Sequence, residues 1–145
     1  MLISIFIAGS SLAMLLYWFR YSCVLLRNAH TSEPAMARAA QTNGLALESV
    51  LVAAPDTRDR AGLRNLQELL EKDRRILEFL LEQSGALAGI ERAMLRADYL
   101  AMRGACHIAR LACPSIAPLA IREMAATLAC LASALGQQTE LRGGA

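Results

Sequence analysis

Four polar side chains fall on helix faces that are otherwise apolar, and they are the residues whose types could support chemistry. Asn43 lies on the apolar stripe of one predicted helix, and Asp73 lies among leucines near the centre of the next stripe. Glu91 and Asp98, seven residues apart, fall inside the broad apolar arc of a third helix. Because a buried carboxylate without a partner is costly, this pattern is typical of a site for a cation, a proton or a small polar ligand.

Internal ion pairs are the alternative explanation of the same pattern. An arginine such as Arg58, Arg74 or Arg122 could reach over the rim of the helical domain and pair with the acids, or an acid could lie at an exposed end. The sequence leaves both interpretations open.

Residue patterns of common enzymes and metal sites are missing from the sequence. There is no phosphate-binding G-x-x-x-x-G-K-[ST], no G-x-G-x-x-G, no G-x-S-x-G, no H-E-x-x-H and no Glu-x-x-His. The four cysteines have no C-x-x-C spacing, which argues against both a thiolate zinc site and a disulfide framework. We therefore expect no enzymatic activity, no cofactor and no bound metal.

Composition predicts an all-helical chain of one domain's length. The 145 residues are 55% hydrophobic, rich in Ala and Leu, and contain only 9 Gly and 4 Pro. The net charge is +2, so the strongly basic surface of a nucleic-acid-binding protein is absent and no nucleic acid is expected as a partner.

The first 27 residues have the length and hydropathy of a single transmembrane anchor. Residues 2–19 carry no charge, and about 20 helical residues cross the hydrocarbon layer. Gly9 and Ala13 form a small-xxx-small pair through which two such spans could approach each other closely.

Aromatic and basic residues cluster where this span is predicted to leave the bilayer. Amphipathic rings and snorkelling arginines favour the headgroup level, which predicts a membrane interface at Tyr17, Trp18, Phe19, Arg20, Tyr21 and Arg27. Because arginines follow the span and no basic residue precedes it, the positive-inside rule predicts an outside N-terminus and a cytoplasmic domain at a bacterial inner membrane.

Residues 28–136 are predicted to form a bundle-like domain of four helices, followed by a flexible tail at residues 137–145. The helices are expected at about residues 34–54, 58–83, 86–112 and 117–135, separated by Pro55, Ser84 and Pro114. The predicted fold is therefore all-α, with one N-terminal transmembrane helix and a four-helix bundle.

The last predicted helix is apolar or small on nearly all sides, so it needs a cover on two sides. The bundle covers one side, and we expect a second protein subunit or lipid on the other, at Leu119, Ala126, Cys130 and Ser133.

These features predict a single-pass membrane protein that acts through protein–protein contacts, as an adaptor or as an accessory subunit of a membrane complex. Its expected partners are the lipid bilayer and either a second copy of the chain or another membrane subunit. The alternative function is a bundle that senses a cation, a proton or a small ligand through its buried acids.

Overall fold

The computed structural model describes residues 1–144, and within them the chain consists of helices and short connections, without strands. Residue 145, the last of the predicted tail, lies outside the described residues. The helices are α1 (Leu2–His30), α2 (Glu33–Asn43), α3 (Leu47–Ala53), α4 (Arg60–Ser84), α5 (Gly89–Ala112) and α6 (Ala117–Gly143). The prediction of an all-α chain is confirmed.

Two of these helices are long and apolar enough to cross a membrane. The apolar window of α1 has a mean hydropathy of 1.9 and none of it is buried, whereas that of α6, with a mean hydropathy of 1.4, is 78% buried. Length and hydropathy alone are weak evidence for a span, because the core helix of a soluble domain passes the same test. The two helices differ in burial, and α6 is the core helix of the domain.

Helix α6 lies at the centre of the domain and is in contact with all five other helices. Leucines of α4 and α5 pack on it, and its own Ile121, Met124 and Leu128 are fully buried. The sequence predicts that two sides of this apolar helix must be covered. Within the chain, α6 is covered by α4 and α5 and also by α1 and α2.

The segment predicted as one helix over residues 34–54 is two helices. Gly44 ends α2 in the left-handed conformation, with φ +62°, and its N–H donates to the carbonyl of Ala40. The N–H of Leu45 also donates to the Ala40 carbonyl, at 3.0 Å, which completes a Schellman-type end. The chain therefore turns at Gly44, and α3 follows over Leu47–Ala53, ending shortly before Pro55.

The predicted flexible tail is helical over most of its length. Helix α6 continues through Gly136, where the backbones of α2 and α6 approach closely. Beyond that point the Gln138 side chain donates to the carbonyl of Ser84 at 2.7 Å, and Arg38 pairs with Glu140. These contacts hold the additional turns of helix against α2 and the end of α4.

Polar contacts between α4 and α5 fix the packing of this pair. Glu71 of α4 accepts from Arg74 at 2.7 Å and from the buried Tyr99 hydroxyl at 3.4 Å. The Arg74 guanidinium lowers the pKa of Glu71, and burial raises the pKa of Tyr99. Both groups therefore keep their charge states, an ionised carboxylate and a neutral phenol, at neutral pH.

Candidate functional site

Helix α1 has two halves with opposite environments. The side chains of residues 1–18 are all exposed, although most are apolar. From Phe19 onward the same helix lies against α5 and α6, and Cys23 and Arg27 are buried there. The helix is continuous through the change, so an exposed apolar rod is joined to the domain without a linker.

Arg20 makes the first ionic contact between α1 and the domain. Its guanidinium donates to Asp98 Oδ1 of α5 at 2.5 Å and to Glu123 Oε2 of α6 at 2.9 Å. The Asp98 side chain is completely buried, whereas that of Arg20 is 30% exposed. One arginine therefore links three helices.

Arg27 lies two turns further along the same face and binds the same acid. It donates to Glu123 Oε2 at 2.9 Å and to the Glu123 carbonyl at 3.3 Å. The Thr127 hydroxyl lies 3.2 Å from Asp98 Oδ2 and 3.1 Å from the Glu123 carbonyl. Because a hydroxyl carries one proton, it donates to one of these acceptors at a time.

We call these five residues the docking network: Arg20, Arg27, Asp98, Glu123 and Thr127. Two positive and two negative side chains balance within it. Charge balance with several hydrogen bonds is the condition under which buried ions are tolerated. The network specifies the position of α1 on the domain through charge and geometry as well as through apolar packing.

The docking network gives the two arginines of the predicted membrane interface partners within the chain. Arg20 and Arg27 pair with acids of the domain, Asp98 and Glu123. Of the other predicted interface residues, Phe19 is half-buried, whereas Tyr17, Trp18 and Tyr21 are exposed. Tyr21 stacks on Tyr17 and meets Trp18 edge to face, each at a centroid distance of 6.4 Å.

The four predicted ligand residues do not come together. Asp98 belongs to the docking network, and Glu91 lies at the rim with an oxygen 3.8 Å from His30 Nε2. Asn43 donates back to the carbonyl of Ala39 at 2.8 Å. Among residues 1–144, no three His, Cys, Asp or Glu side chains are grouped as a metal site.

Asp73, the remaining predicted ligand residue, is buried and forms no ion pair within the described residues. It is 1% exposed, and its Oδ2 has no hydrogen-bond partner. Burial raises its pKa, and the N–H groups of Ala46 and Leu47 at the start of α3, together with the charge of Lys72, oppose that rise. Asp73 therefore faces the first turn of α3 across the helix interface.

The residues predicted to contact lipid or a second subunit differ in their exposure. Cys130 and Ser133 are fully buried inside the chain, where Ser133 accepts from the Ser32 N–H at 3.2 Å. Ala126 is half-buried, and Leu119 is 59% exposed. Gly9 and Ala13 lie on the exposed rod, with nothing within 4 Å of a Cβ built on Gly9.

Glu123 and Thr127 are the functional candidates that sequence reasoning missed. A signal was present, because Arg20, Cys23 and Arg27 follow a spacing of three and four residues and so share one face of α1. Two arginines with a small residue between them on one helix face indicate a packed, acid-facing surface as readily as a membrane interface.

No family model, curated protein or solved structure matches this chain. The geometry of the docking network and of the exposed rod therefore carries the functional argument.

Proposed function

We propose that this chain is a single-pass membrane protein in which the exposed half of α1 spans the bilayer and its second half belongs to a helical domain at the membrane surface. The observation that carries the proposal is the abrupt change of burial within one helix. Residues 1–18 are exposed and mostly apolar, and Arg20 and Arg27 are paired with acids of the domain. In water such a rod would be an aggregation liability, and in a bilayer it is satisfied on all sides.

The orientation we propose puts the domain in the cytoplasm and the start of α1 on the other side of a bacterial inner membrane. The arginines that follow the span support this direction by the positive-inside rule. The four free cysteines fit a reducing compartment.

Within this arrangement we propose that the domain is an adaptor or an accessory subunit that acts by protein contact. A span that continues into the domain as one helix presents the domain surface at a fixed position relative to the membrane, which suits assembly with other membrane components. The sensing alternative has less support, because Asp98 and Glu91 already face Arg20 and His30.

The single tryptophan offers a direct test of the span. Trp18 is the only Trp of the chain and is 58% exposed on α1. In proteoliposomes containing lipids brominated at defined acyl positions, we expect its fluorescence to be quenched, most strongly by bromines near the headgroups. The absence of quenching from every bromine position would contradict the proposed span.

A substitution pair tests the same point in cells. Leu12→Arg places a charge in the middle of the proposed span and should raise the insertion free energy by about 3 kcal/mol, releasing the chain into the alkaline carbonate extract. Phe79→Arg is the matched control, because Phe79 is equally exposed but lies on α4. Equal extraction of both variants would contradict the proposal.

The orientation is tested with an introduced thiol. Gln83→Cys lies on an exposed position near the end of α4, and Cys113→Ser removes the exposed native cysteine. An impermeant maleimide should label Gln83→Cys in inside-out vesicles and leave it unlabelled in intact spheroplasts. The reverse pattern would place the domain outside.

A further inference from the structure

The contacts of α1 give the direction of the domain's helices relative to the exposed rod. Along α1, Arg20 meets Glu123 and Arg27 meets Thr127, and Ser32 just after α1 meets Ser133, so α1 and α6 run parallel. Cys23 meets the Met94 carbonyl and His30 meets Glu91, so α5 runs antiparallel to α1. The end of α5 and the start of α6 therefore point toward the same side as the rod.

The turn between α5 and α6 extends past the level of Arg20. Helix α6 begins at Ala117, six residues before Glu123, which is about 9 Å of helix. Helix α5 continues from Asp98 to Ala112, about 21 Å. The turn between α5 and α6 therefore lies beyond Asp98 and Glu123 on the side toward the rod, and the headgroup region of one leaflet, about 5–8 Å thick, is thinner than either helix extension.

We call this end the bundle tip: the connection between α3 and α4 (residues 54–59), the turn between α5 and α6 (residues 113–116), and the adjoining helix ends. Pro55 and Arg58 of the first connection line one cavity together with Pro114, Ser115 and Pro118. The two connections are therefore neighbours, and they form one surface.

The bundle tip combines exposed apolar side chains with arginines. Leu111 is 73% exposed, Ile116 52% and Leu119 59%. The arginines at or next to this end are Arg58, Arg60, Arg110 and Arg122. Within the described residues Arg58, Arg60 and Arg122 form no ion pair with an acid, and Arg110 donates to the neutral Gln67 at 2.9 Å.

Two acids of the first connection, Asp56 and Asp59, offset part of this positive charge, and the four arginines and two acids together leave a net charge of +2 at the tip. Asp59 caps α4 by accepting from the Gly62 N–H at 2.8 Å, and Asp56 is the other acid of the connection. Apolar side chains beside unpaired arginines match the boundary between acyl chains and anionic headgroups.

We propose that the bundle tip is a second membrane contact, in which Leu111, Ile116 and Leu119 enter the acyl boundary and the arginines bind anionic lipid headgroups. This inference rests on the proposed function, because it places the tip against the bilayer that α1 spans. The domain would then be attached to the membrane at two points, the span and the tip.

Cys113 lies within the bundle tip and provides the probe. It is exposed, whereas Cys23, Cys106 and Cys130 are buried, so a fluorescent maleimide can be attached to the turn alone. In proteoliposomes of phosphatidylcholine and phosphatidylglycerol that contain brominated acyl chains, we expect severalfold quenching of this label. The matched control carries the label at Gln83→Cys in the Cys113→Ser background, and we expect it to remain unquenched.

Trp18 in the same proteoliposomes separates the two proposals. Quenching of Trp18 without quenching of the Cys113 label would overturn the bundle tip as a lipid contact and leave the span intact. Loss of quenching at both positions would overturn the span as well. A label that is quenched equally in vesicles of phosphatidylcholine alone would overturn the proposed binding of anionic headgroups.

Substitutions in the apolar part of the tip provide the second measurement. Ile116→Glu with Leu119→Glu should abolish quenching of the Cys113 label and leave Trp18 quenching unchanged. Because both side chains are exposed, folding should be preserved, which circular dichroism checks. Phe79→Glu, an equally exposed apolar position on α4, is the control and should leave both signals unchanged; persistent quenching in the double variant would overturn the proposal.

Discussion

Asp98, which has no exposed side-chain surface, is held at 2.5 Å by Arg20, a residue 78 positions earlier in the chain. The same arginine also binds Glu123. The Arg20–Asp98 pair is therefore one part of a network that joins the second half of α1 to α5 and α6. The position of α1 on the domain therefore depends on charges that are buried together.

Removing Arg20 should destabilise the domain much more than removing a surface arginine. Arg20→Leu leaves Asp98 buried with only Thr127 as a partner, and we expect the free energy of unfolding to fall by about 2–3 kcal/mol, since Arg20 is partly exposed. Urea unfolding of the full chain in detergent micelles, followed by circular dichroism, measures this loss.

Two further variants complete this experiment. Arg20→Leu with Asp98→Leu removes both charges, and the combined loss should be smaller than the sum of the two single losses. Arg38→Leu, which breaks the exposed pair with Glu140, should cost less than about 1 kcal/mol. Strict additivity of the two network variants would mean that Arg20 and Asp98 are not energetically coupled.

Asp73 should make the domain less stable as the pH rises. Burial raises its pKa in the folded state, so the folded chain holds this proton more tightly than the unfolded chain does. The free energy of unfolding therefore falls as the pH rises from the ordinary aspartate pKa, 3.8, through the raised folded value.

The difference between wild type and Asp73→Asn isolates this contribution. The variant should gain stability relative to wild type at neutral pH, and the gain should disappear below the ordinary aspartate pKa. Glu68→Gln, an exposed acid on the same helix, should show no such trend. If the advantage of Asp73→Asn were the same at every pH, another cause would have to explain it.

Gly136 is required by the close approach of α2 and α6. A Cβ at this position would lie 2.9 Å from the carbonyl carbon of Ala35, and the neighbouring backbone cannot move aside cheaply. Gly136→Ala should therefore lower the free energy of unfolding by about 1–3 kcal/mol.

Gly104→Ala is the matched control, because Gly104 also lies within a helix but has nothing within 4 Å of its Cβ position. Alanine there should raise stability by about 0.5–1 kcal/mol, since it is the better helix former. Thermal unfolding of the two variants should shift in opposite directions, and a shift in the same direction would argue against the close approach.

The four thiols should differ in reactivity. Cys113 is exposed and should react with N-ethylmaleimide in the folded chain, whereas Cys23, Cys106 and Cys130 should react only after unfolding. For Cys106, burial also raises the pKa, which reduces the thiolate fraction. Mass spectrometry of the timed reaction should give one rapid modification followed by three that require denaturant; two rapid modifications would contradict the packing described.

The helical character of the chain, the main helix boundaries and the burial of Asp73 and Asp98 could be predicted from local sequence. These features depend on residue propensity and on a 3.6-residue period, which are readable over a few turns. The break at Gly44 was missed because a glycine inside an apolar pattern is compatible with a helix until its φ is known.

The docking network could not be predicted from the same information. Arg20 and Arg27 satisfy the rules for a membrane interface, and the acids that they bind lie 78 to 103 residues away. The extension of α6 through Gly136 depends likewise on Ala35 and Ser84, which only the folded chain brings near. Glu91 and Asn43 fall on predicted inner faces but lie near helix ends. A helical wheel gives the face on which a residue lies but does not show whether a residue at a helix end is buried or lies at the edge of the domain.

The uninterrupted course of α1 fixes the azimuth of the domain about the axis of the rod. No proline, and no glycine after Gly9, lies between Leu2 and His30 to act as a swivel. A single residue inserted between Tyr17 and Arg20 would turn the domain by about 100° and move it by about 1.5 Å. The rod and the domain therefore rotate together about the axis of α1, and a torque applied to the rod is transmitted to the domain.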